Sequence, residues 1–347
     1  MVDELARRFE VFGAEECREY GAPLYERLSL AVAGDPAVLA LAAETRPNQP
    51  PPNLLFGAVQ LLLLKGAEHP LARFYPALGG DAGRPEDPWP SFRDFCLAHA
   101  EAIQRIVATH IVQTNIVERS LCLYPAFGLV ARRAGGRPLA LIEVGASAGL
   151  NLNWDRFGYA YGGRRVGDPA SPVQLSCPEL GERPVPLLER TPAVAWRRAL
   201  DLNPLDVRDP EAALWLQALT WPDDPARAAH QERAIELARR DPPRILAGDA
   251  LDLLPGLLAE VPPDAQLCVY HTVVLHQFSR EGRRQFAELL RQAGERRPIY
   301  EVALGPRHDG QIPLLQLTQH SGGASATTTL ARFQSHGAWI EWLDETA

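Results

Sequence analysis

The chain has 347 residues, of which 46% are hydrophobic and 22% charged, a composition that is ordinary for a globular protein with a large core. Its 35 basic and 43 acidic residues give a formal net charge of -8, so electrostatics favours neither nucleic acid nor an anionic membrane surface, and a small-molecule partner fits better. The five cysteines lack metal-ligand spacing, which predicts a reduced, cytoplasmic setting without a structural metal; nothing in the composition indicates an oligomeric state.

The start of the chain and its most apolar stretch predict no targeting segment and no membrane span. The chain begins with the acidic sequence MVDE, whereas a signal peptide begins with basic residues. Leu54–Leu64 is far shorter than the roughly 20 residues that cross a bilayer. We expect this stretch to be a buried helix, with Asn53 as its N-cap and Gly66 after its end.

The first part of the chain predicts helices. Before residue 135, apolar residues recur at helical spacing, as between Ile103 and Ile111. Residues 1–135 are therefore predicted to form an N-terminal helical domain that covers a cleft. Gly135-Gly136 marks the boundary, because the pattern changes directly after it.

Residues 136–347 predict an α/β domain. Apolar runs typical of strands alternate with helical segments. The predicted strands are Leu139–Val144, Ala195–Leu200, Arg244–Ala247, Gln266–Val274 and Pro298–Ala303, and the predicted helices are Ala226–Arg240, Leu251–Glu260 and Arg280–Glu295. This alternation predicts a doubly wound, mostly parallel sheet. The runs Leu314–Thr318, Ala326–Phe333 and Trp339–Leu343 predict antiparallel terminal strands, and residues 156–194 an irregular insertion with a short hairpin.

A glycine loop after the first predicted strand carries most of the functional information. The strand runs through Glu143 into the sequence GASAG at residues 145–149. Because glycine lacks a Cβ, such a loop turns tightly and lets the backbone approach a ligand. As E-x-G-x-x-x-G the pattern is typical of a nucleotide loop, in which Glu143, Gly145, Ala146, Ser147 and Gly149 contact a cofactor. As G-x-S-x-G it is typical of a hydrolase nucleophile elbow with Ser147 on the turn.

The place of the loop in the chain favours the nucleotide interpretation. An α/β-hydrolase elbow needs several strands before the serine, whereas the residues before this loop predict helices. Asp249 and His276 could complete a triad with Ser147. A serine hydrolase therefore stays open as the less favoured alternative.

Two further acids end predicted strands in the order that a nucleotide-binding sheet requires. Asp201 ends the strand after the insertion, where a carboxylate accepts hydrogen bonds from ribose hydroxyls. Asp249 ends the next strand, where a carboxylate can accept from an adenine amino group while the backbone N–H of Ala250 donates to the ring. Each acid alone is also typical of a strand-end cap. Glu143, Asp201 and Asp249 on successive strands together favour a cofactor site.

Residues 138–303 resemble the core of a class I S-adenosylmethionine (SAM) methyltransferase. The resemblance rests on the glycine loop with Glu143, on DLNPLD at 201–206, on GDA at 248–250 and on HTVVL at 271–275. With QTN at 113–115 and Arg119, the fuller pattern resembles a largely bacterial family of unknown function that has this core and an N-terminal helical domain. The resemblance implies a Rossmann-like class I methyltransferase fold and SAM as cofactor, and it implies no substrate. Ile116 stands where the family pattern leads us to expect a glutamate.

Methyl transfer would take place at the end of the fourth predicted strand. The reaction is an in-line displacement at an electrophilic sulfonium, so the protein has to align the acceptor and exclude water. A nearby base helps when the acceptor carries a proton. His271 and His276 are the candidate catalytic bases, because an unperturbed imidazole titrates near neutrality. Each can equally be a hydrogen-bonded structural histidine.

Four polar residues are candidate contacts to a small-molecule acceptor. Asn115 and Arg119 lie one helical turn apart and could point into the cleft, although a solvated helix face is the alternative. Asn151 follows the glycine loop, and Tyr270 lies in the strand beside His271.

The sequence as a whole predicts a cytoplasmic SAM-dependent methyltransferase that acts on an unidentified small molecule. A catalytically silent SAM- or nucleotide-binding protein is the first alternative, because no residue pattern fixes an acceptor or a base. The serine hydrolase that would use Ser147 is the second.

Overall fold

The computed structural model of the chain describes residues 2–81, 83–305 and 312–344. The chain divides into two compact units. Unit 1 consists of Met1–Thr114 and Arg208–Glu232, and unit 2 of Asn115–Val207 and Arg233–Ala347. The predicted boundary at residue 135 and this division differ over two segments, 115–135 and 208–232.

The helices and strands of the described residues are numbered in chain order. The helices are α1 (Val2–Val11), α2 (Pro23–Ala33), α3 (Pro36–Ala42), α4 (Pro51–Leu64), α5 (Trp89–Ala98), α6 (Ala100–Thr109), α7 (Ser120–Arg133), α8 (Pro210–Ala218), α9 (Pro225–Arg240), α10 (Ala250–Glu260) and α11 (Arg280–Arg296). The strands are β1 (Leu139–Val144), β2 (Gly158–Tyr161), β3 (Arg164–Gly167), β4 (Gln174–Cys177), β5 (Glu179–Leu180), β6 (Val194–Asp201), β7 (Ile245–Ala247), β8 (Gln266–Thr272), β9 (Ile299–Leu304), β10 (Leu314–Ser321), β11 (Ala324–Phe333) and β12 (Ile340–Trp342).

Unit 1 is built from helices around α4. The buried helix predicted for Leu54–Leu64 is confirmed, and nearly all of α4 is buried. The helix begins at Pro51, so the prediction of Asn53 as N-cap was wrong. Prolines are tolerated in the first helical turn, where the missing N–H would have had no partner in any case. Gly66 has a φ of 91° and ends the helix in a left-handed conformation, as predicted.

The segment 208–232 belongs to unit 1 because α8 completes its core. A Cβ on Gly57 of α4 would lie 3.1 Å from the Trp215 ring, so the glycine allows a close approach of the two helices. Gln60 Nε2 donates a hydrogen bond of 2.9 Å to the carbonyl of Thr220. The sequence patterns did not identify α8.

Unit 2 contains a nine-stranded sheet in the order β5-β12-β11-β10-β9-β8-β1-β6-β7. The pairings from β9 through β8, β1 and β6 to β7 are all parallel. The pairings of β10 with β9 and with β11 are antiparallel, which confirms the predicted antiparallel terminal strands. The molecule is thus a mixed α/β protein with a large, mostly parallel central sheet.

The order of the parallel strands reverses at β1. The chain passes from β1 to β6 and then β7 on one side, and later adds β8 and β9 on the other side. At this reversal β1 pairs with β8 without a bulge, so that Glu143 lies opposite Tyr270 and Val144 opposite His271.

The two faces of the sheet pack against different helices. Ala140, Ile142 and Val144 of β1 lie in a core cluster with Leu254 of α10 and Phe286 of α11. The opposite face packs against α7, which also explains why the segment 115–135 belongs to this unit. Since successive residues of a strand point to opposite faces, Glu143 is directed to the α7 side.

The insertion at 156–194 is more ordered than predicted. β3, β2 and β4 form a separate three-stranded sheet, in which β2 and β3 are the expected hairpin. β5 pairs with β12 at the edge of the central sheet.

All five cysteines of the chain are buried free thiols. None of the helices in the described ranges has both the length and the apolar composition of a membrane span.

Candidate functional site

The glycine loop after β1 adopts a conformation that excludes larger residues at two positions. Gly145, Ser147 and Gly149 all have positive φ values, of 75°, 54° and 69°. A Cβ on Gly145 would lie 2.4 Å from Val274 Cγ2, and one on Gly149 would lie 2.8 Å from Cβ of Pro243. The loop therefore brings bare backbone to the carboxyl end of β1. Ser147 pays a conformational cost for this, because non-glycine residues seldom adopt a positive φ.

Asp201 binds the loop from the neighbouring strand. Its Oδ2 accepts a hydrogen bond of 2.7 Å from the Ser147 N–H, and its Oδ1 accepts one of 2.8 Å from the Asn203 N–H. The Gly145 and Ala146 N–H groups donate to the carbonyl of Leu200, at 2.8 and 3.2 Å. These hydrogen bonds hold the Asp201 carboxylate beside the glycine loop, at the carboxyl end of β6.

Asp249 and Ala250 lie at the end of the next strand. The Gly248 N–H donates to the Asp201 carbonyl at 2.9 Å, which joins the ends of β6 and β7. Asp249 is exposed and is the N-cap of α10, since its Oδ1 accepts from the Leu251 N–H at 2.8 Å. Ala250 is the first residue of that helix, where the backbone N–H has no intrahelical acceptor.

Glu143 is the buried acid of the site. It is 1% exposed, and its Oε2 accepts a hydrogen bond of 3.0 Å from the Tyr270 hydroxyl. Burial raises the pKa of the Glu143 carboxyl to about 8, and the charge of Asp201 adds to the rise. The Tyr270 hydrogen bond and the Arg119 guanidinium act in the opposite direction. Glu143 is therefore largely protonated at neutral pH.

Tyr270 lies in the core rather than on an exposed surface. Its side chain is fully buried, and its ring contacts Phe127 of α7 with a centroid distance of 5.1 Å. Its hydroxyl is used by Glu143. The structure thus brings Tyr270 to the predicted cofactor acid instead of to open space where an acceptor could bind.

Asn115 and Asn151 fasten the segment before α7 to the glycine loop. Asn115 Oδ1 accepts a hydrogen bond of 2.8 Å from the Leu150 N–H. Asn151 Oδ1 accepts from the Ser120 hydroxyl at 2.9 Å, and its Nδ2 donates to the carbonyl of Ile116 at 3.2 Å. Both asparagines are buried, so their polar groups bind protein.

Arg119 lies at the carboxyl end of β8. It ends the 3₁₀ turn Val117–Arg119, and its Nη1 donates to the carbonyl and the hydroxyl of Thr272 at 3.3 and 3.4 Å. The residue is buried, although it is charged.

His271 points to the other face of the sheet. Its ring contacts Phe286 of α11, and its Nε2 lies 3.0 Å from Glu301 Oε1. Glu301 Oε2 lies 3.1 Å from Nε2 of His320. Burial raises the pKa of Glu301, but the hydrogen bonds to the two histidines outweigh it and lower that pKa to about 2. The structure therefore places His271 in a structural network and does not bring it together with Glu143.

His276 lies beyond the end of β8 and is exposed. It belongs to the 3₁₀ turn Leu275–Gln277, directly after Val274, the residue that packs over Gly145. Val273, two residues before the turn, has a strained backbone with a φ of 54°. Positive φ is unusual for a β-branched residue and recurs at functional sites.

Sequence reasoning missed two features of this region. Leu202, directly after Asp201, is 66% exposed, which is unusual for a large apolar side chain at the edge of a sheet. The network of His271, Glu301 and His320 was also missed. Glu301, a charged residue inside the apolar run of β9, was the available signal, because a buried carboxylate needs partners.

Across the described ranges, no group of three or more His, Cys, Asp or Glu residues could hold a metal ion.

The comparison with protein families gives one result. The model of the family described as uncharacterized protein conserved in bacteria (DUF2332) matches residues 6–342, so the chain belongs to that family. This confirms the expected bacterial family of unknown function, whereas membership of the methyltransferase superfamily stays a prediction. No curated protein and no solved structure matches the chain.

Proposed function

We propose that this member of the DUF2332 family binds SAM at the carboxyl ends of β7, β6 and β1 and transfers its methyl group to a small molecule. The observation that carries the proposal is the meeting of Glu143, Asp201 and Asp249 at the ends of three adjacent strands, around the glycine loop. The parallel strands follow the order of a Rossmann-like sheet, and ligands of such sheets bind where the order reverses. Here it reverses at β1.

The residues fit an adenosine. Asp201 places a carboxylate at the end of β6, where it can accept hydrogen bonds from ribose hydroxyls, and hydrogen bonds to a charged acceptor are the stronger ones. Asp249 and the Ala250 N–H offer an acceptor and a donor side by side, which matches the edge of an adenine. Leu202, directly after Asp201, supplies exposed apolar surface against which a purine can pack. Gly145 and Gly149 let Val274 and Pro243 pack directly against the loop, which holds its backbone at the carboxyl end of β1.

When bound, SAM supplies a methyl group on an electrophilic sulfonium. The chain would orient the acceptor, exclude water and, for an acceptor that carries a proton, remove that proton. We assign this last task to His276, since it lies exposed two residues after Val274, which covers the loop. His271 is turned to Glu301 on the opposite face and is not suited to it.

Calorimetric titration with SAM and with S-adenosylhomocysteine tests the proposal. We expect micromolar or tighter binding, which Asp201→Ala weakens strongly because the ribose loses its charged acceptor. Asp264→Ala, an exposed acid at the opposite end of β8, is the matched control and should bind as the wild type does. Circular dichroism checks that both variants are folded. Wild-type protein that binds neither compound would contradict the proposal.

Turnover separates an enzyme from a silent binding protein. Methyl transfer to members of an acceptor panel, lost in His276→Ala while SAM binding is kept, supports the methyltransferase. Binding without transfer to any acceptor supports the silent binder.

One observation favours the serine hydrolase as a second candidate. Ser147 has a φ of 54° within G-x-S-x-G, and nucleophile elbows are strained in this way. Against it, Ser147 is buried, and β1 is the first strand of the described chain, whereas an elbow follows earlier strands. Labelling by a fluorophosphonate probe that is lost in Ser147→Ala would favour the hydrolase.

A further inference from the structure

We infer that Ser325 is an activated nucleophile, with His320 as its general base and Glu301 as the carboxylate that orients the histidine. The three side chains form a Ser-His-Glu triad on the side of the central sheet that α11 covers. An activated carboxylic ester is the class of substrate, because its acyl group can pass to a serine oxygen. This inference goes beyond the proposed function and does not depend on it.

The first step is the position of the serine and the histidine in the hairpin of β10 and β11. Gly322 and Gly323 between the strands both have positive φ values, of 58° and 80°, as in a two-residue type I′ turn. The hairpin register places His320 directly opposite Ser325. Side chains at opposite positions of an antiparallel pair lie on the same face of the sheet, so the hydroxyl meets the imidazole.

The second step is the direction of the hydrogen bonds. Nδ1 of His320 lies 2.8 Å from Ser325 Oγ, and its Nε2 lies 3.1 Å from Glu301 Oε2. Burial raises the pKa of Glu301, but hydrogen bonds to two histidines lower it to about 2, so the carboxylate is ionised at neutral pH and can only accept. In the neutral imidazole of His320, Nε2 therefore carries the proton, and Nδ1 accepts from the Ser325 hydroxyl. A general base needs this arrangement.

The third step is the fixed position of the carboxylate. The second oxygen of Glu301, Oε1, lies 3.0 Å from Nε2 of His271, so both oxygens are held. The His271 ring in turn packs against Phe286 of α11. A carboxylate that is fixed in this way keeps the imidazole of His320 in one tautomer and one orientation, and it stabilises the positive charge that the imidazole acquires.

The fourth step is the difference in exposure between the serine and its base. Ser325 is exposed, so a substrate can reach its hydroxyl. His320 is only 3% exposed, and α11 lies directly against it, since a Cβ on Gly294 of that helix would lie 2.8 Å from Cβ of His320. Hydrogen bonds are stronger away from water. The triad thus combines an accessible nucleophile with a shielded base.

Thr327 shows what distinguishes Ser325 from another hydroxyl group on the same strand. Thr327 lies two residues further along β11, on the same face, and is also exposed. Its hydroxyl lies 2.9 Å from the hydroxyl of Thr318, whereas Ser325 faces an imidazole. A hydroxyl group is a poor base at neutral pH, so Thr327 is a matched control.

The place of the triad in the sheet separates it from the proposed SAM site. His320 lies opposite Ile299, the first residue of β9. Because β9, β8 and β1 are parallel, the hairpin turn lies toward the amino ends of these strands, whereas the glycine loop follows the carboxyl end of β1.

The proposed reaction is acyl transfer in two stages. Ser325 Oγ attacks the carbonyl carbon of the ester, and its proton passes to Nδ1 of His320. The bond from this carbon to the leaving oxygen then breaks, and His320 gives the proton to that oxygen, which leaves as an alcohol. In the second stage a water molecule gives a proton to His320 and its oxygen joins the acyl carbon. The carboxylic acid is released, and Ser325 takes the proton back.

Labelling by a fluorophosphonate probe, in which a serine oxygen displaces fluoride from phosphorus, tests the triad. The full-length chain is incubated with the probe, and mass spectrometry of its peptides identifies the labelled residue. We expect label on Ser325 of the wild type, at the same rate in Thr327→Ala, and none at this position in Ser325→Ala. The wild-type peptide identifies the residue even where a variant fails to fold.

Two variants test the base and the residue that positions it. His320→Gln should lower the maximal rate of labelling about 100-fold or more, because general bases contribute about 10²- to 10⁴-fold. Glu301→Gln should lower it at least about 10-fold, because glutamine can also donate and no longer fixes the proton on Nε2. In both variants the probe concentration that gives half the maximal rate should stay within about twofold of the wild type, a split that a loosened fold would not produce. Circular dichroism checks that the variants are folded.

Three results would overturn this inference. They are a wild type without label on Ser325, a labelling rate at Ser325 that is the same in folded His320→Gln as in the wild type, and label on Ser147 in place of Ser325. The last of these would favour the serine hydrolase that uses the glycine loop. The proposed function is tested separately, by the titration with SAM.

Discussion

Replacing Glu143 by glutamine should stabilise the protein increasingly as the pH rises. The substitution keeps the shape of the side chain and an oxygen that can accept from the Tyr270 hydroxyl, but it removes the ionisable group. The pKa of Glu143 is raised from 4.5 to about 8, with burial as the largest cause. Between these values the folded state keeps a proton that the unfolded state has lost, so stability falls as the pH increases.

The magnitude follows from this interval. Each pH unit between 4.5 and about 8 costs the wild type about 1.4 kcal/mol, and pH 7 lies about 2.5 units above the lower value. The glutamine variant should therefore be more stable than the wild type by about 3 kcal/mol at pH 7, by about 1 kcal/mol at pH 5, and by almost nothing at pH 4. Because Glu143 is 1% exposed, solvent screening does not reduce the effect much.

Urea unfolding of both proteins between pH 4 and pH 8 measures the difference. Glu182→Gln, the same change in an exposed loop, is the control and should show a small difference at every pH. A Glu143→Gln variant that is less stable than the wild type at pH 7, with a difference that does not vary with pH, would refute the reasoning. It would mean that the buried carboxyl is ionised throughout this range.

Three further predictions concern other parts of unit 2. Glu301→Gln should lower the free energy of unfolding by about 3 kcal/mol at neutral pH, because the pKa of Glu301 is lowered from 4.5 to about 2; urea unfolding should show this loss shrinking as the pH falls from 4.5 toward 2, and a constant loss would contradict it. Gly145→Ala should lower the free energy of unfolding by about 2–4 kcal/mol, because of the left-handed backbone and the contact with Val274. The control Gly135→Ala has a similar φ of 68° but open space around it, so it should lower this free energy by only about 1–2 kcal/mol. Equal shifts in the melting temperatures of the two variants would refute the steric argument. Leu202→Ala should weaken S-adenosylhomocysteine binding about 3- to 10-fold, since less apolar surface is buried on binding, and leave the melting temperature unchanged because Leu202 is exposed; unchanged affinity would remove Leu202 from the site.

The sequence predicted the bounds of β1 and the positions of the three acids correctly, because few other structures suit those segments. β1 has the predicted bounds Leu139–Val144, because a short apolar run followed by glycine has few alternatives to a buried strand. The three acids could be placed at strand ends, since parallel strands direct their carboxyl ends to one edge of the sheet. Hydrogen bonds join Asp201 to Ser147 of the glycine loop and to Gly248 after β7, so the ends of β1, β6 and β7 lie side by side.

The face to which a residue of β8 points could not be predicted. Every residue of this strand is buried, so the alternation of apolar and polar residues that reveals a face is missing. His271 and Tyr270 therefore looked alike in the sequence, although one contacts α11 and the other Glu143. The strained φ of Val273 also has no signal in the sequence, because it results from contacts made after the fold is complete.

The assignment of α8 to unit 1 has a consequence for synthesis on the ribosome. Proteins are made from the N-terminus, and domains usually fold as soon as they emerge. Trp215 and Leu219 contact Gly57, so the helical unit still lacks part of its core when residue 114 has been translated. It has to wait until residues 115–207 and then α8 have left the exit tunnel. A truncated polypeptide that stops at residue 114 would expose the apolar surface of α4 around Gly57 and would be prone to aggregate.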